Sequence, residues 1–293
     1  MAVETNLTST DNGAFDATMA QSIDFASRFN AGIRGIQESL RIARRVPVSS
    51  GTVLKTYTSS VTLDDTVIPP GEIIPLSLVV QEPGPNIELA WKKHRKAVPA
   101  EDIQTYGMET AVANSDALFI RELQKDVRTG FFDLLADGTG AATGEGLQAA
   151  AAQAWAGVYT AFEDDGADVI GFVHPNDVAD YLGAAQITTQ TAFGMQYVEN
   201  FLGFRVAMIS ALVPEGTIYA TAAENLVIAY ANMSNSDVAR AFDMYVDETG
   251  LIGVTHDVNK QRLTAETITA SAVVMFAERL DGVIKSTITA AGV

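Results

Sequence analysis

The sequence predicts an α+β fold, and three observations carry that prediction. Apolar residues from Met108 to Asp137 recur on four-residue steps, which marks one long helix. The run Val53–Leu63 is rich in β-branched residues and polar at alternate positions, which marks an exposed strand. From Leu251 to Ile288 the chain is again β-type, and short strands alternate with short helices in the region before it.

The elements follow in order. Residues 1–18 are Thr/Asn/Asp/Ala-rich without periodicity, so they are ordered only if something holds them. Met19, Ala26, Phe29, Ile33, Ile36, Leu40 and Ala43 form a helical stripe interrupted by Gly32 and Gly35, each costing about 1 kcal/mol relative to Ala. Such a helix needs a surface to lie against, its own or a neighbour's. Val53–Leu63 pairs with Ile68–Val80 as the return limb of a long hairpin, with Pro69, Pro70 and Pro75 at an edge or in a loop. A two-stranded ribbon is marginal in water, so the hairpin is expected to project and to be held by another chain. In the long helix Met108, Val112, Phe119, Leu123, Val127, Phe131 and Leu135 share a face that Leu118 and Leu134 widen; at 1.5 Å per residue it is about 40 Å long. Gly138-Thr-Gly140 ends it, and Leu147 to Phe162 forms a second helix after a glycine-rich link. Strands are expected at Asp168–Val173, Gly203–Ile209 and Thr217–Ala220, with Pro175 opening a helix and Pro214-Glu-Gly216 making a turn.

The chain has 293 residues, 47% of them hydrophobic, so a packed core over about two structural units is expected without staples. It has no cysteine, which excludes a thiolate nucleophile, a disulfide framework and cysteine-ligated metal. The formal charge is −17, with −6 on residues 1–145 and −11 on the rest, so binding along phosphates requires a concentrated basic patch. No export signal is visible at Met1, and Ile73–Val80 and Ala149–Phe162 are too short or too interrupted to span a bilayer, so no membrane partner is expected.

Four features invite chemistry. Thr139-Gly140-Ala-Ala-Thr-Gly144-Glu-Gly146 spells a dinucleotide loop, but a helix precedes it where a strand is required, and no Tyr is followed four residues later by Lys. A flexible linker is the expectation, and an oxidoreductase the remote alternative. His94, His174 and His256 are isolated in sequence; a metal trio or a Ser/His/Asp triad could still form in space, although no G-x-S-x-G supports one. Glu163-Asp-Asp-Gly-Ala-Asp168 lacks the ligand spacing of a calcium loop and reads as a solvated turn. Lys92-Lys93-His94-Arg95-Lys96 is the one dense basic cluster. Nucleic acid, an acidic face of another copy and bare solvent are all open to it, and the second is preferred on so acidic a chain. Arg41, Arg44 and Arg45 pose the same question. No catalytic residue, cofactor or metal site is expected.

Several strings, with their order, carry a resemblance. They are Leu40-Arg-Ile-Ala-Arg-Arg-Val-Pro-Val48 with Gly51-Thr-Val-Leu-Lys-Thr-Tyr57, Lys92-Lys-His-Arg-Lys-Ala-Val98 with Glu101-Asp-Ile-Gln-Thr-Tyr-Gly107, Phe172-Val-His-Pro175, Tyr197-Val-Glu-Asn-Phe-Leu-Gly203, and Val213-Pro-Glu-Gly-Thr217. From about residue 20 onward the chain resembles the HK97-type major capsid protein of tailed double-stranded DNA bacteriophages.

The resemblance implies an HK97-like fold with an N-arm at 1–47, an E-loop at 48–90, a P-domain with the spine helix at 91–140, an A-domain at 141–239, and C-terminal P-domain strands at 240–293. It implies a non-enzymatic subunit that self-assembles into hexamers and pentamers around a double-stranded DNA genome it does not read. Other expected partners are a portal protein and, since no scaffold-length segment precedes the arm, a separate scaffolding protein, with scaffold-free assembly as the alternative. The expected location is the virion capsid, assembled in the host cytoplasm. Candidate inter-subunit contacts are Arg41, Arg44, Arg45, Lys55, Lys92, Lys93, Arg95 and Lys96. Lys55 lies in the E-loop, and covalent crosslinking is not expected. An encapsulin-like nanocompartment is the alternative.

Overall fold

A computed structural model describes residues 7–40, 42, 44–49, 51–69, 71–162, 167–182, 190–192, 195–234 and 236–290. In chain order, helix α1 (Leu7–Ser39) leads to β1 (Arg44–Val48), the hairpin strands β2 (Val53–Thr62) and β3 (Leu78–Glu88), and β4 (Lys92–Pro99). Helix α2 (Ala100–Tyr106) turns into α3 (Met108–Ala136) at Gly107, whose φ of 81° suits a residue without a side chain. Next come β5 (Gly140–Glu145), α4 (Gly146–Ala161), β6 (Val169–Val173), α5 (Pro175–Leu182), β7 (Gln190–Ala192), β8 (Met195–Phe201), β9 (Phe204–Ile209), β10 (Thr217–Ala222) and β11 (Leu226–Ala231). The last part holds α6 (Asp237–Ala241), β12 (Tyr245–Val246), β13 (Ile252–Asn259), β14 (Thr264–Ser271), β15 (Val273–Ala277) and β16 (Ile284–Thr289).

Helix α1 begins well inside the stretch in which the sequence shows no periodicity. Its second half settles whose surface it needs: Phe25, Ala26, Phe29, Ile33, Ile36 and Leu40 are fully buried in the chain's own main core. There they meet α3 and β13. Met19, at the outer end of the predicted stripe, is exposed, and Ala43 lies outside the described residues. The buried face of α3 is Val112, Asp116, Ile120, Leu123, Val127, Phe131, Phe132 and Leu135. Leu118 does not widen that face; it points to solvent, as Met108 does.

Three sheets and the hairpin complete the fold. A four-stranded sheet in the order β12-β13-β14-β4 lies against α1 and α3, and a three-stranded sheet β1-β11-β15 packs on α3 through β15. The seven-stranded sheet runs β5-β16-β10-β6-β9-β8-β7 and carries α4 on its apolar face, through Leu147, Ala151, Ala154 and Val158. The sheets do not follow the sequence boundary at 239/240. The C-terminal strand β16 returns to the seven-stranded sheet between β5 and β10, whereas β11 leaves that segment to pair with β1 and β15. Long-range strand pairing of this kind leaves no local trace in sequence.

The hairpin differs from expectation in its return limb. The returning strand starts at Leu78 and runs to Glu88, so Pro69 and Pro75 fall in an irregular tip, while Pro83 and Pro85 lie within the strand. The base is pinned to the body: the Tyr57 N–H donates to the Glu278 carbonyl and the Leu280 N–H to the Tyr57 carbonyl, both at 3.0 Å. Ile87 joins Val227, Ala229 and Phe276 in a small core of its own. Beyond that base the tip has little cover among the described residues. Val67, Ile73 and Leu76 are each 95% exposed.

The glycine-rich segment 139–146 is not a linker. Residues Gly140–Glu145 form β5, parallel to β16, so their amides serve a sheet edge rather than a cradle for phosphates. A side chain at Gly144 would meet the Ala150 backbone nitrogen at 2.2 Å, which is why the strand can run this close to α4. The oxidoreductase alternative loses its loop.

Candidate functional site

Strand alternation divides the basic cluster 92–96 between two faces of β4. Lys92, His94 and Lys96 face the helices. Lys92 bridges to Asp126 of α3 at 2.5 Å, and the His94 ring meets Phe119 edge-on with centroids 6.3 Å apart. Lys93 and Arg95 face the other way. Arg95 donates from Nε to Glu266 at 2.9 Å and from a second nitrogen at 2.5 Å, a two-bond clamp across the sheet. Lys93 is exposed, with no partner among the described residues. Lys96 is drawn inside, so it does not offer its charge to a neighbour; its Nζ sits 2.8 Å from Asp116 Oδ1. Of the remaining candidates, Arg44 bridges to Glu278 at the hairpin base, Arg45 is half-buried, and Lys55 is exposed on β2 beside a register shift. Arg41 lies outside the described residues, as do 163–166 of the suspected acidic turn.

Around Asp116 the fold assembles a polar cluster that the sequence reading did not foresee. The carboxylate takes Lys96 and the Thr267 hydroxyl on Oδ1, the latter at 3.2 Å, and His256 Nε2 on Oδ2 at 3.1 Å. Because a carboxylate can only accept, Nε2 carries the proton of that bond, and Nδ1 of a neutral ring accepts from the Ser22 hydroxyl at 2.8 Å. Burial pushes the Asp116 carboxyl up, but the hydrogen bonds and charges of His256 and Lys96 outweigh it and hold the carboxyl below the usual range. One signal was available in sequence: Asp116 stands on the four-residue period of the α3 stripe, where a charge demands a partner.

Ser22, His256 and Asp116 have the composition of a hydrolase triad but not its setting. The side chains of His256 and Asp116 are 3% and 7% exposed, and Phe25 covers the imidazole edge-on at 6.2 Å. Ser22 is equally buried, so no substrate carbonyl can reach its hydroxyl. The cluster ties α1, α3, β4, β13 and β14 together, and its chemistry is structural.

Three clefts among the described residues lie elsewhere. One, of about 500 Å³, is lined by Asp177, Asp180, Glu215 and Tyr181. There the Asp177 carboxylate accepts the Gly216 N–H at 3.0 Å, and burial, with Glu215 and Asp180 nearby, pushes its carboxyl up. The second, of about 270 Å³, lies beside Trp155, Tyr159 and Arg205, with Arg205 held 3.1 Å from Asp168. The third, of about 360 Å³, is bordered by Lys125, Arg128, Gln196 and Ser210. Among the described residues no group of three or more His, Asp or Glu side chains is placed to hold a metal. His174 is a loop residue whose Nδ1 accepts the Asn176 N–H at 3.1 Å. No described helix is long and apolar enough to cross a membrane.

No protein-family model and no curated protein matches this chain. Solved structures do. The capsid of Cyanophage A-1(L) superposes over 86% of this chain and 91% of its own, with a TM-score of 0.56 at 12% identity. The capsid of an empty GTA particle covers 89% of this chain and 90% of its own, with a TM-score of 0.55 at 12% identity. The SrpI encapsulin of Synechococcus elongatus PCC 7942 covers 87% and 89%, with a TM-score of 0.53 at 12% identity. The chain therefore has a fold common to phage capsids and encapsulins. It is the HK97-like capsid fold.

Proposed function

We propose that the protein is a shell-forming subunit, and specifically a major capsid protein that closes into hexamers and pentamers around a double-stranded DNA genome. One observation carries the reading: a hairpin pinned at its base presents Val67, Ile73, Ile74 and Leu76 to solvent. Exposed apolar surface of that kind marks an interaction site, and in a fold of this type its cover comes from another copy. The division into N-arm, E-loop, P-domain and A-domain belongs to the same proposal, with β16 contributed to the A-domain sheet. So do the portal and scaffolding partners, the virion location and the absence of enzymatic activity. Candidate contacts are narrowed to Arg45, Lys55 and Lys93, together with Arg41; Arg44, Lys92, Arg95 and Lys96 are engaged within the chain.

Negative-stain microscopy and sedimentation of the purified protein, with co-expressed helper proteins, test this directly. Closed particles of uniform diameter are expected; a solution that stays monomeric at every concentration and salt refutes it. The encapsulin alternative is separated by what the particles hold. Nuclease-protected duplex DNA supports the capsid reading, and a stoichiometric enzyme cargo replaces it.

A further inference from the structure

Between Lys55 and Lys92 the chain has no basic residue and five acidic ones, of which Asp64, Asp65 and Glu72 sit at the hairpin tip. The tip is an ordered surface: the Asp64 N–H donates to Ser77 Oγ at 3.2 Å across the loop, and the Asp64 carboxylate accepts the Thr66 N–H at 3.0 Å. It is apolar and anionic at once. The turn between β13 and β14 has the opposite character. Val258 and Leu263 are 44% and 67% exposed, and Lys260 and Arg262 stand beside them in solvent. That turn is also ordered, since Asn259 Oδ1 accepts the N–H groups of Gln261 and Arg262 at 3.1 and 3.2 Å. Leu263 is held at φ 52°, a left-handed conformation that residues with side chains rarely adopt. The left-handed residue closes the hairpin between β13 and β14 while leaving a leucine in solvent, and strain of this kind gathers at sites of contact.

Charge narrows the choice further. Of the six basic residues after position 145, Arg205, Arg240 and Arg279 face Asp168, Asp237 and Asp281, and Lys285 donates to the Ala136 carbonyl. Lys260 and Arg262 have no ionic partner among the described residues. We propose that the turn 258–263 of one copy is the seat of the hairpin tip of another, through residues 63–69 and 71–77. Leu263 and Val258 meet the apolar tip residues, and Lys260 and Arg262 meet Asp64, Asp65 and Glu72. This pairing rests on the shell reading above and gives it a register. Because the two patches differ, one copy can offer its tip to a second and its turn to a third, the heterologous arrangement that propagates around a ring; a reciprocal exchange between two copies would close a dimer instead.

The absence of cysteine makes the test clean. Chains carrying Val67→Cys and chains carrying Leu263→Cys are co-assembled and oxidised, beside a control pairing Val67→Cys with Lys93→Cys. A disulfide-linked pair at least about tenfold more abundant with Leu263→Cys than with the control is expected. In parallel, reversing Asp64, Asp65 and Glu72 to Lys, or Lys260 and Arg262 to Glu, is expected to lower particle yield about tenfold, and combining the sets to restore it to within about threefold. Circular dichroism of the unassembled chains checks that each variant is folded. Equal or greater linkage to position 93, or a combined variant no better than either parent, overturns the pairing. Normal particles from either reversed set alone also overturn it and leave the shell reading standing. No particles from the unaltered chain overturns both.

Discussion

Replacing Asp116 by Asn is the sharpest test of how the body is held together. The substitution keeps shape and some hydrogen bonds but removes the only negative charge set against Lys96 in the cluster. Lys96 is 15% exposed and Asp116 7%, so the ammonium is left largely buried without a counter-charge. Breaking a buried pair from one side typically costs about 3–5 kcal/mol, and the remaining bonds to Thr267 and His256 place this case near 3 kcal/mol. With a urea slope of about 3 kcal/mol per M for a chain of this size, the midpoint falls by about 1 M. The assay is urea unfolding of unassembled subunits followed by far-UV circular dichroism.

The pH dependence supplies an independent check with a definite sign. The Asp116 carboxyl is depressed in the folded state, so its contribution is fully present above the ordinary carboxylate value of about 3.9 and is lost as pH falls through the lower folded value. The gap between wild type and Asp116→Asn should therefore be wide at pH 7 and close in strong acid, where both side chains are neutral. A midpoint shift under about 0.2 M at pH 7, or a gap that persists unchanged in acid, refutes the reasoning.

Two further outcomes test the packing. Phe29→Ala removes a ring that is 1% exposed in the main core, and should cost about 3–5 kcal/mol; a loss under about 1 kcal/mol in thermal or urea unfolding means that α1 is not seated in its own chain. Gly84→Ala places a methyl 2.5 Å from Thr56 Oγ1 and 2.7 Å from Leu280 Cδ1. The hairpin base should loosen by about 1–3 kcal/mol, read as faster proteolysis within 56–88 while the body stays protected, and unchanged digestion rules it out.

How much was legible in sequence follows from how local each signal is. The α3 stripe, Pro175 opening α5, and the strand at Val169–Val173 were readable because helix period, turn chemistry and apolar runs are written over a few residues. The return limb of the hairpin was placed about ten residues early because Pro69 and Pro75 share their neighbourhood with apolar residues that only look strand-like. The segment at Gly140–Glu145 read as a linker because small residues mimic flexibility; its strand character comes from β16, 144 residues away at Ile284↔Gly140. The cluster at Asp116 was hidden for the same reason, since Ser22 and His256 are separated by 234 positions.

The basic cluster shows how composition and geometry divide the information. Five consecutive polar residues at 92–96 suggest one charged face, and composition offers no way to split them. Once β4 pairs with β14, alternation sends Lys92 to Asp126 and Lys96 to Asp116 on one face and Arg95 to Glu266 on the other, so three of the four charges become internal ties on the two faces of one strand. The charge surplus available for other copies then lies at sites that looked unremarkable in sequence, above all Lys260 and Arg262 on a strained turn. A heterologous shell needs such unlike patches, because a self-complementary patch would close two copies on each other and end assembly there. An acidic apolar tip and a basic apolar turn on the same chain meet that requirement, whereas the symmetric pairing of either with itself is opposed by like charge.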